Sequence, residues 1–352
     1  MVIVADQLQL VAVPMSHVET YLEAANRENT RRSYASAVRH FEVEWKGLLP
    51  ATSESITHYL ADHAATLSMN TLRHRLAALS RWHTDHGFPD PTKAPAVRQV
   101  LRGIRMLHPA KEKQAKPLQL DILERIDTWL RQAAAAERVR GDRAGELRHV
   151  RDRALLLLGF WRGFRADELV RLRVEYIEVA HGEGLTCFLP HSKGDRHAEG
   201  RTFSCPALSR LCPVQAYEAW LAAAGLTDGP AFRAINQWGH VADTRLAAKS
   251  VIPLLRRLFA AAGVTDSDLY SSHSLRRGFA GWANANGWDI KEMMDYVGWR
   301  DIKSAVRYLD ATPEELKARF ERGLPAAPKE TVVEPAVSDP PQRSKVIRFP
   351  RK

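Results

Sequence analysis

Cysteine is scarce, with three residues in 352, at Cys187, Cys205 and Cys212, too few and too scattered for a disulfide framework. Long hydrophobic runs are missing too: the longest, 154–161, ends at Arg162, well short of the ~20 apolar residues a membrane helix needs. The first residues show neither the basic start nor the apolar stretch of a secretory signal. These absences point to a reduced, cytoplasmic protein with no membrane association. No Gly-rich loop of the Gly-x4-Gly-Lys-Ser/Thr kind occurs, which leaves nucleotide hydrolysis without support. Cys187, His191, His197, Cys205 and Cys212 fall within 26 residues, but their spacings match no zinc pattern, so neither a metal nor a cofactor is expected.

What the chain has in excess is positive charge, 51 Lys and Arg against 41 Asp and Glu. Residues 69–116 hold ten basic side chains against three acidic ones, so this window carries seven of the ten net charges. A local excess of that kind implies a polyanionic partner. With 45% hydrophobic and 26% charged residues the chain can bury a core, and its length suits two domains.

Periodicity makes the first hundred residues all-helical. Asn29 or Thr30 can cap a helix whose Tyr34, Val38, Phe41 and Trp45 form one stripe. Helices are also expected over 53–67, with Ile56, Tyr59 and Leu60, and after an Asn70 cap, with Leu72, Leu76 and Leu79 inward and Arg73, His74 and Arg81 outward. Beyond Pro89, Pro91 and Pro95, an apolar stripe of Val97, Leu101 and Ile104 runs beside a basic one of Arg98, Arg102 and Arg105. Such a helix can bury one face and offer three guanidinium groups to phosphates.

The Lys- and Pro-rich stretch at 108–117 reads as a linker. Helices follow over 118–136 and 147–160, then strands over 176–179, 185–189 and 201–204 between Gly-rich turns, then helices from Cys212 to Arg322. The fold class expected is mainly α with a small β-sheet (α+β). The division is a short N-terminal extension (1–15), a helical DNA-binding domain (16–108), a linker (109–117), a second domain (118–322) and a Pro-rich basic tail (323–352).

Four segments of the second domain carry candidate chemistry: GFRADEL at 163–169, HSKGDR at 191–196, HSLRRGF at 273–279 and VGWRDIKSAVRY at 297–308. Their order and spacing resemble the tyrosine recombinase (phage integrase) family. In that likeness Arg165 is the first catalytic arginine, Glu168 the acidic residue three positions on and Lys193 the hairpin lysine. His273 and Arg276 form the His-x-x-Arg motif, and Tyr308 closes a Val-Gly-Trp-x8-Tyr segment where most members have Leu-Gly-His-x8-Tyr. Arg196 and Lys249 are also available for the lysine's part.

The resemblance implies a helical core-binding domain ahead of a catalytic domain, and a site-specific recombinase that cuts and rejoins DNA through a 3′-phosphotyrosine and a Holliday junction. It implies a monomer in solution that forms a homotetramer on double-stranded DNA with paired inverted half-sites, its two domains clamping opposite faces of the duplex. With about fifteen residues before the first helix, a simple type without an arm-binding domain is expected. Integration or excision, or resolution of a mobile element, is the expected setting.

The residue chemistry agrees. Arg165 and Arg276 can grip a phosphate bidentately, Tyr308 can attack it, Lys193 can protonate the departing 5′ oxygen and His273 can take the tyrosyl proton. Trp299 can donate one hydrogen bond but cannot carry a proton, so proton transfer falls to His273, Lys193 and Tyr308. Glu168 would orient the basic groups. Two rivals are a catalytically silent DNA-binding protein on the same fold and a type IB topoisomerase. Thr312, Pro313, Glu314 and Glu315 make a capping pattern for a last short helix with Leu316, Phe320 and Leu324, which docks on its own domain or on a neighbouring protomer.

Overall fold

A computed structural model describes residues 28–109, 114–190, 199–306 and, singly, 308, 317, 320 and 321. Lys193, the N-terminal extension, the Pro-rich tail and nearly all of the expected last helix lie outside the described residues. The chain divides into two compact units at Lys113 and Gln114. No described helix is long and apolar enough to cross a membrane.

Among its described residues the first unit is helical: α1 (Glu28–Arg39), α2 (Ser53–Asp62), α3 (Met69–Asp85) and α4 (Pro95–Leu107). Its core gathers Phe41, Ile56, Tyr59, Leu60, Leu72, Leu76, Leu79, Val97 and Ile104, the inward stripes the periodicity predicts. Three local expectations are corrected. After α1 the chain widens into a π-helical turn, His40–Glu44, where Trp45 N–H donates to His40 O. The extra residue in that turn leaves Phe41 buried and Trp45 only half-buried. The helix predicted over 53–67 stops at Asp62, where the N–H groups of Thr66 and Leu67 turn back onto His63 O. The cap of α3 is Ser68, whose Oγ accepts from Thr71 N–H at 3.1 Å, and Asn70 lies inside the first turn.

On α4, Pro95 opens the helix, Val97 and Ile104 are buried, and Arg98, Arg102 and Arg105 are all exposed. On α3, Arg73, His74 and Arg81 also face outward. His74 Nε2 lies 2.9 Å from Ser33 Oγ, and Arg81 is paired with Asp85 at 2.6 Å.

The second unit is built around α6 (Arg143–Trp161), whose segment from Ala154 to Phe160 is apolar on every side and wholly buried. A helix of that kind needs neighbours all round. They are α5 (Leu120–Arg140), α8 (Pro213–Ala224) and α10 (Ser272–Ala285). In chain order α7 (Ala166–Arg171) and an antiparallel sheet, β1 (Ile177–Ala180), β2 (Gly184–Leu189) and β3 (Arg201–Pro206), in the order β1-β2-β3, lie between α6 and α8. Cys187 faces Ile177 on one side and Phe203 on the other. Burial pushes the Cys187 thiol up to about 12 and the Cys205 thiol up to about 11. The unit continues through α9 (Ala248–Ala261), α11 (Ile290–Val297) and α12 (Ile302–Val306).

The uninterrupted helices expected after Cys212 are also corrected, because a hairpin of β4 (Arg233–Ile235) and β5 (Val241–Arg245) intervenes. Its turn is set by Asn236, whose Oδ1 accepts from the N–H groups of Trp238 and His240, each at 3.0 Å. Strands of three and five residues are too short to show an alternating pattern in sequence.

Candidate active site

Three elements of the second unit bring the candidate residues together. Arg165 is the N-cap of α7. Its backbone N–H donates to Glu168 Oε2 at 2.8 Å and its Nη1 to Glu168 Oε1 at 2.6 Å. Glu168, 5% exposed, therefore holds the arginine from both ends, and Arg276 Nη1 lies 3.7 Å from its Oε2. One buried carboxylate thus orients two guanidinium groups that would otherwise repel each other.

Arg276 and His273 sit one turn apart in the first turns of α10, which Ser271 caps by accepting from His273 N–H at 3.2 Å. The helix is fixed backbone to backbone: a Cβ at Gly278 would overlap the Leu118 carbonyl, while Leu118 N–H donates to Ser274 O. Arg276 is only 1% exposed, and its Nη1 donates to Gly163 O at 2.8 Å. Gly163 has φ +58°, and a Cβ there would press on Val297 at 3.2 Å. The acceptor therefore depends on a left-handed residue with no side chain.

That bond leaves Nε and Nη2 of Arg276 buried without a hydrogen-bond partner among the described residues, and the Trp299 indole N–H is in the same state. Nε and Nη2 form the two-pronged edge of a guanidinium, the edge that matches two oxygens of a phosphate. Buried donors left unsatisfied are costly, so their convergence in one place marks a site built for an acceptor. Burial, and then the neighbouring Arg165, pull Arg276 down to about 10 from 12.5, with Glu168 opposing. At neutral pH the group is still charged.

Tyr308 completes the cluster. Its ring stacks on Trp299 with centroids 5.3 Å apart, the Arg276 guanidinium lies 5.8 Å from its centroid, and its hydroxyl is 3.2 Å from His273 Nδ1. With the imidazole proton on Nε2, the tyrosyl hydroxyl donates to Nδ1. A phenol in that position can pass its proton to the imidazole as its oxygen attacks.

The structure thus brings Arg165, Glu168, His273, Arg276, Trp299 and Tyr308 into one place. One participant escapes the sequence motifs: Gly163 supplies the carbonyl that holds Arg276, and its signal is a glycine two residues before Arg165. Beside it Arg162, buried at 1% exposure, ends the longest apolar run.

Residues 140–315 match the model of the phage integrase family. Over 298 residues the chain is 30% identical to an integrase/recombinase XerD homolog of Selenomonas ruminantium, covering 82% of this chain and 83% of that protein. It is 25% identical to recombinase Cre of Escherichia phage P1, covering 79% and 80%. Its fold is similar to that of XerH site-specific recombinase bound to palindromic difH substrate in a post-cleavage complex. There the TM-score is 0.58 at 16% identity, over 82% of this chain and 78% of that one.

Proposed function

Since the chain belongs to the phage integrase family and is a site-specific DNA recombinase, we propose that Tyr308 is its nucleophile and that Arg165, Arg276 and Trp299 hold the scissile phosphate. Tyr308 Oη attacks phosphorus, its proton passing to His273, while the bond to the 5′ oxygen breaks and Lys193 protonates that oxygen. The products are a 3′-phosphotyrosine and a free 5′ hydroxyl. A 5′ hydroxyl from the partner duplex then attacks the phosphotyrosine and returns the proton to Tyr308. Because one phosphoester is exchanged for another at each step, the strands reseal without ATP.

The observation that carries this reading is the convergence of three buried donors without a partner among the described residues, Arg276 Nε, Arg276 Nη2 and Trp299 Nε1, on the tyrosine that faces His273. The exposed guanidinium stripe of Arg98, Arg102 and Arg105 supports a place for the first unit on the DNA backbone. Exchange between two duplexes requires four cuts, which a homotetramer with two protomers on each pair of inverted half-sites supplies. Insertion or excision of a mobile element is the setting this chemistry serves.

A half-site nicked near the cleavage position tests the assignment, since the short product diffuses away and traps the covalent intermediate. The wild-type chain should accumulate a covalent adduct, and Tyr308→Phe should bind the half-site with nearly unchanged affinity and form none. An adduct in the Phe variant would remove Tyr308 from its role.

A further inference from the structure

Arg162 caps the C-terminus of α6 one residue before Gly163, is buried, and has no part in the chemistry above. A buried guanidinium ordinarily pairs with a carboxylate, yet among the described residues the groups Arg162 meets are backbone carbonyls and rings. Its Nη1 donates to Ser204 O at 3.0 Å and its Nη2 to Tyr296 O. The guanidinium lies 3.8 Å from the centroid of the Tyr296 ring and 5.0 Å from that of Phe203. Ser204 and Phe203 belong to β3, and Tyr296 to the last turn of α11, whose carbonyls lack partners within the helix and carry the negative end of its dipole. A second arginine makes a parallel link, since Arg201, the first residue of β3, donates from Nη2 to Asp295 O at 2.6 Å.

Two cations therefore fasten the return strand of the β2–β3 hairpin to the end of α11. Gly298 and Trp299 follow directly from that end, and the chain joining β2 to β3 includes Lys193. Arg162 also adjoins Gly163, whose carbonyl holds Arg276. One guanidinium thus touches the hairpin that supplies the acid and the helix end that leads to the phosphate-binding indole.

We infer that Arg162 is a positioning residue that registers the lysine-bearing hairpin against the phosphate site, so that proton delivery to the departing 5′ oxygen depends on it. This rests on the assignment of Lys193 as the acid. A displacement of the order of 1 Å at a reacting group can cost about 10²-fold in rate, so Arg162→Met should slow cleavage of ordinary DNA about that much while leaving half-site binding nearly unchanged.

A substrate with sulfur in place of the 5′ bridging oxygen separates this role from a general structural one. Its thiolate departs without a proton, because a thiol is far more acidic than an alcohol. Single-turnover cleavage of both substrates would be measured for the wild type, Lys193→Ala, Arg162→Met and Arg162→Lys. The last keeps the buried charge but reaches only one carbonyl, and it decides the matter if the Met variant does not fold. The expected result is that Arg162→Met and Lys193→Ala are both slow on oxygen and both within about threefold of wild type on sulfur, with Arg162→Lys showing the same pattern at smaller amplitude. Equal slowing of the Arg162 variants on the two substrates would overturn the inference and place Arg162 in support of the arginine site or the fold. Rescue of the Arg162 variants without rescue of Lys193→Ala would move the acid elsewhere on the hairpin and leave the positioning role standing. If neither is rescued, both assignments fall.

Discussion

Replacing Arg276 by lysine keeps the charge and removes the fork, which makes it the sharpest probe of the phosphate site. The native guanidinium spends Nη1 on Gly163 O at 2.8 Å, with Glu168 at 3.7 Å, and holds Nε and Nη2 in reserve. An ammonium at that depth can serve the Gly163 carbonyl or the phosphate, but its hydrogens do not present two parallel bonds. Loss of one donor to developing oxyanion charge costs on the order of 10²–10³ in rate. Loss of a matched pair should therefore lower single-turnover cleavage by about 10³-fold, or about 4 kcal/mol of transition-state stabilisation. Half-site binding should fall by less than about tenfold, because the scissile phosphate is one contact among many and the retained charge still attracts it. The measurement is covalent adduct formation against time on the nicked half-site, with a mobility shift for binding on the same preparation. Cleavage within tenfold of wild type, in a variant that binds normally, would show that the fork does not act on the reacting phosphate.

Replacing Arg98, Arg102 and Arg105 together by alanine should weaken binding to any DNA sequence and make the slope of log affinity against log salt shallower by about 2 to 3; an unchanged slope would assign the stripe to solvent. In the first unit, burial and then the Arg75 guanidinium hold His40 below its ordinary 6.5, with Glu44 opposing and His63 adding to the depression. The unfolded chain therefore takes up the proton first, and stability present above pH 6.5 is lost as pH falls through the lower folded value. Amides of α2 and α3 should exchange faster at pH 5.5 than at 7.5 after correction for intrinsic rates, and His40→Gln should flatten that difference; an identical pH dependence in the two proteins would refute it.

The parts of this protein that were legible in sequence are those where one residue type can do only one thing at its spacing. Val97 and Ile104, seven apart, mark the buried face of α4, and Arg98, Arg102 and Arg105 beside them can only be solvated or bound to an anion. The spacing of His273 and Arg276 places both at the start of one helix with their side chains on neighbouring faces. What escaped is backbone-mediated. The Gly163 carbonyl, the Ser204 and Tyr296 carbonyls that hold Arg162, and the Asn236 turn of the β4–β5 hairpin all depend on main-chain groups every residue possesses. The π-helical turn at His40–Glu44 escaped for a related reason, since inserting one residue shifts a stripe without changing its composition.

The charge arrangement of the site explains why its parts are mutually dependent. Three arginines, at 162, 165 and 276, stand within one neighbourhood, and the carboxylate that meets two of them is Glu168. Arg162 directs its Nη1 and Nη2 to carbonyl oxygens and its face to aromatic rings instead, while Arg165 and Arg276 share one negative charge; burial first, and then Arg165, make Arg276 harder to charge. Among the described residues the site thus holds more positive than negative charge, at a cost in folding stability. A phosphodiester brings one negative charge and gains more as Tyr308 attacks, so the interaction strengthens along the reaction coordinate, which is the condition for binding energy to raise a rate. A second carboxylate near Arg276 would relieve the free protein and forfeit that difference. Among the described residues Glu168, buried and engaged with both arginines, supplies the negative charge that holds them together.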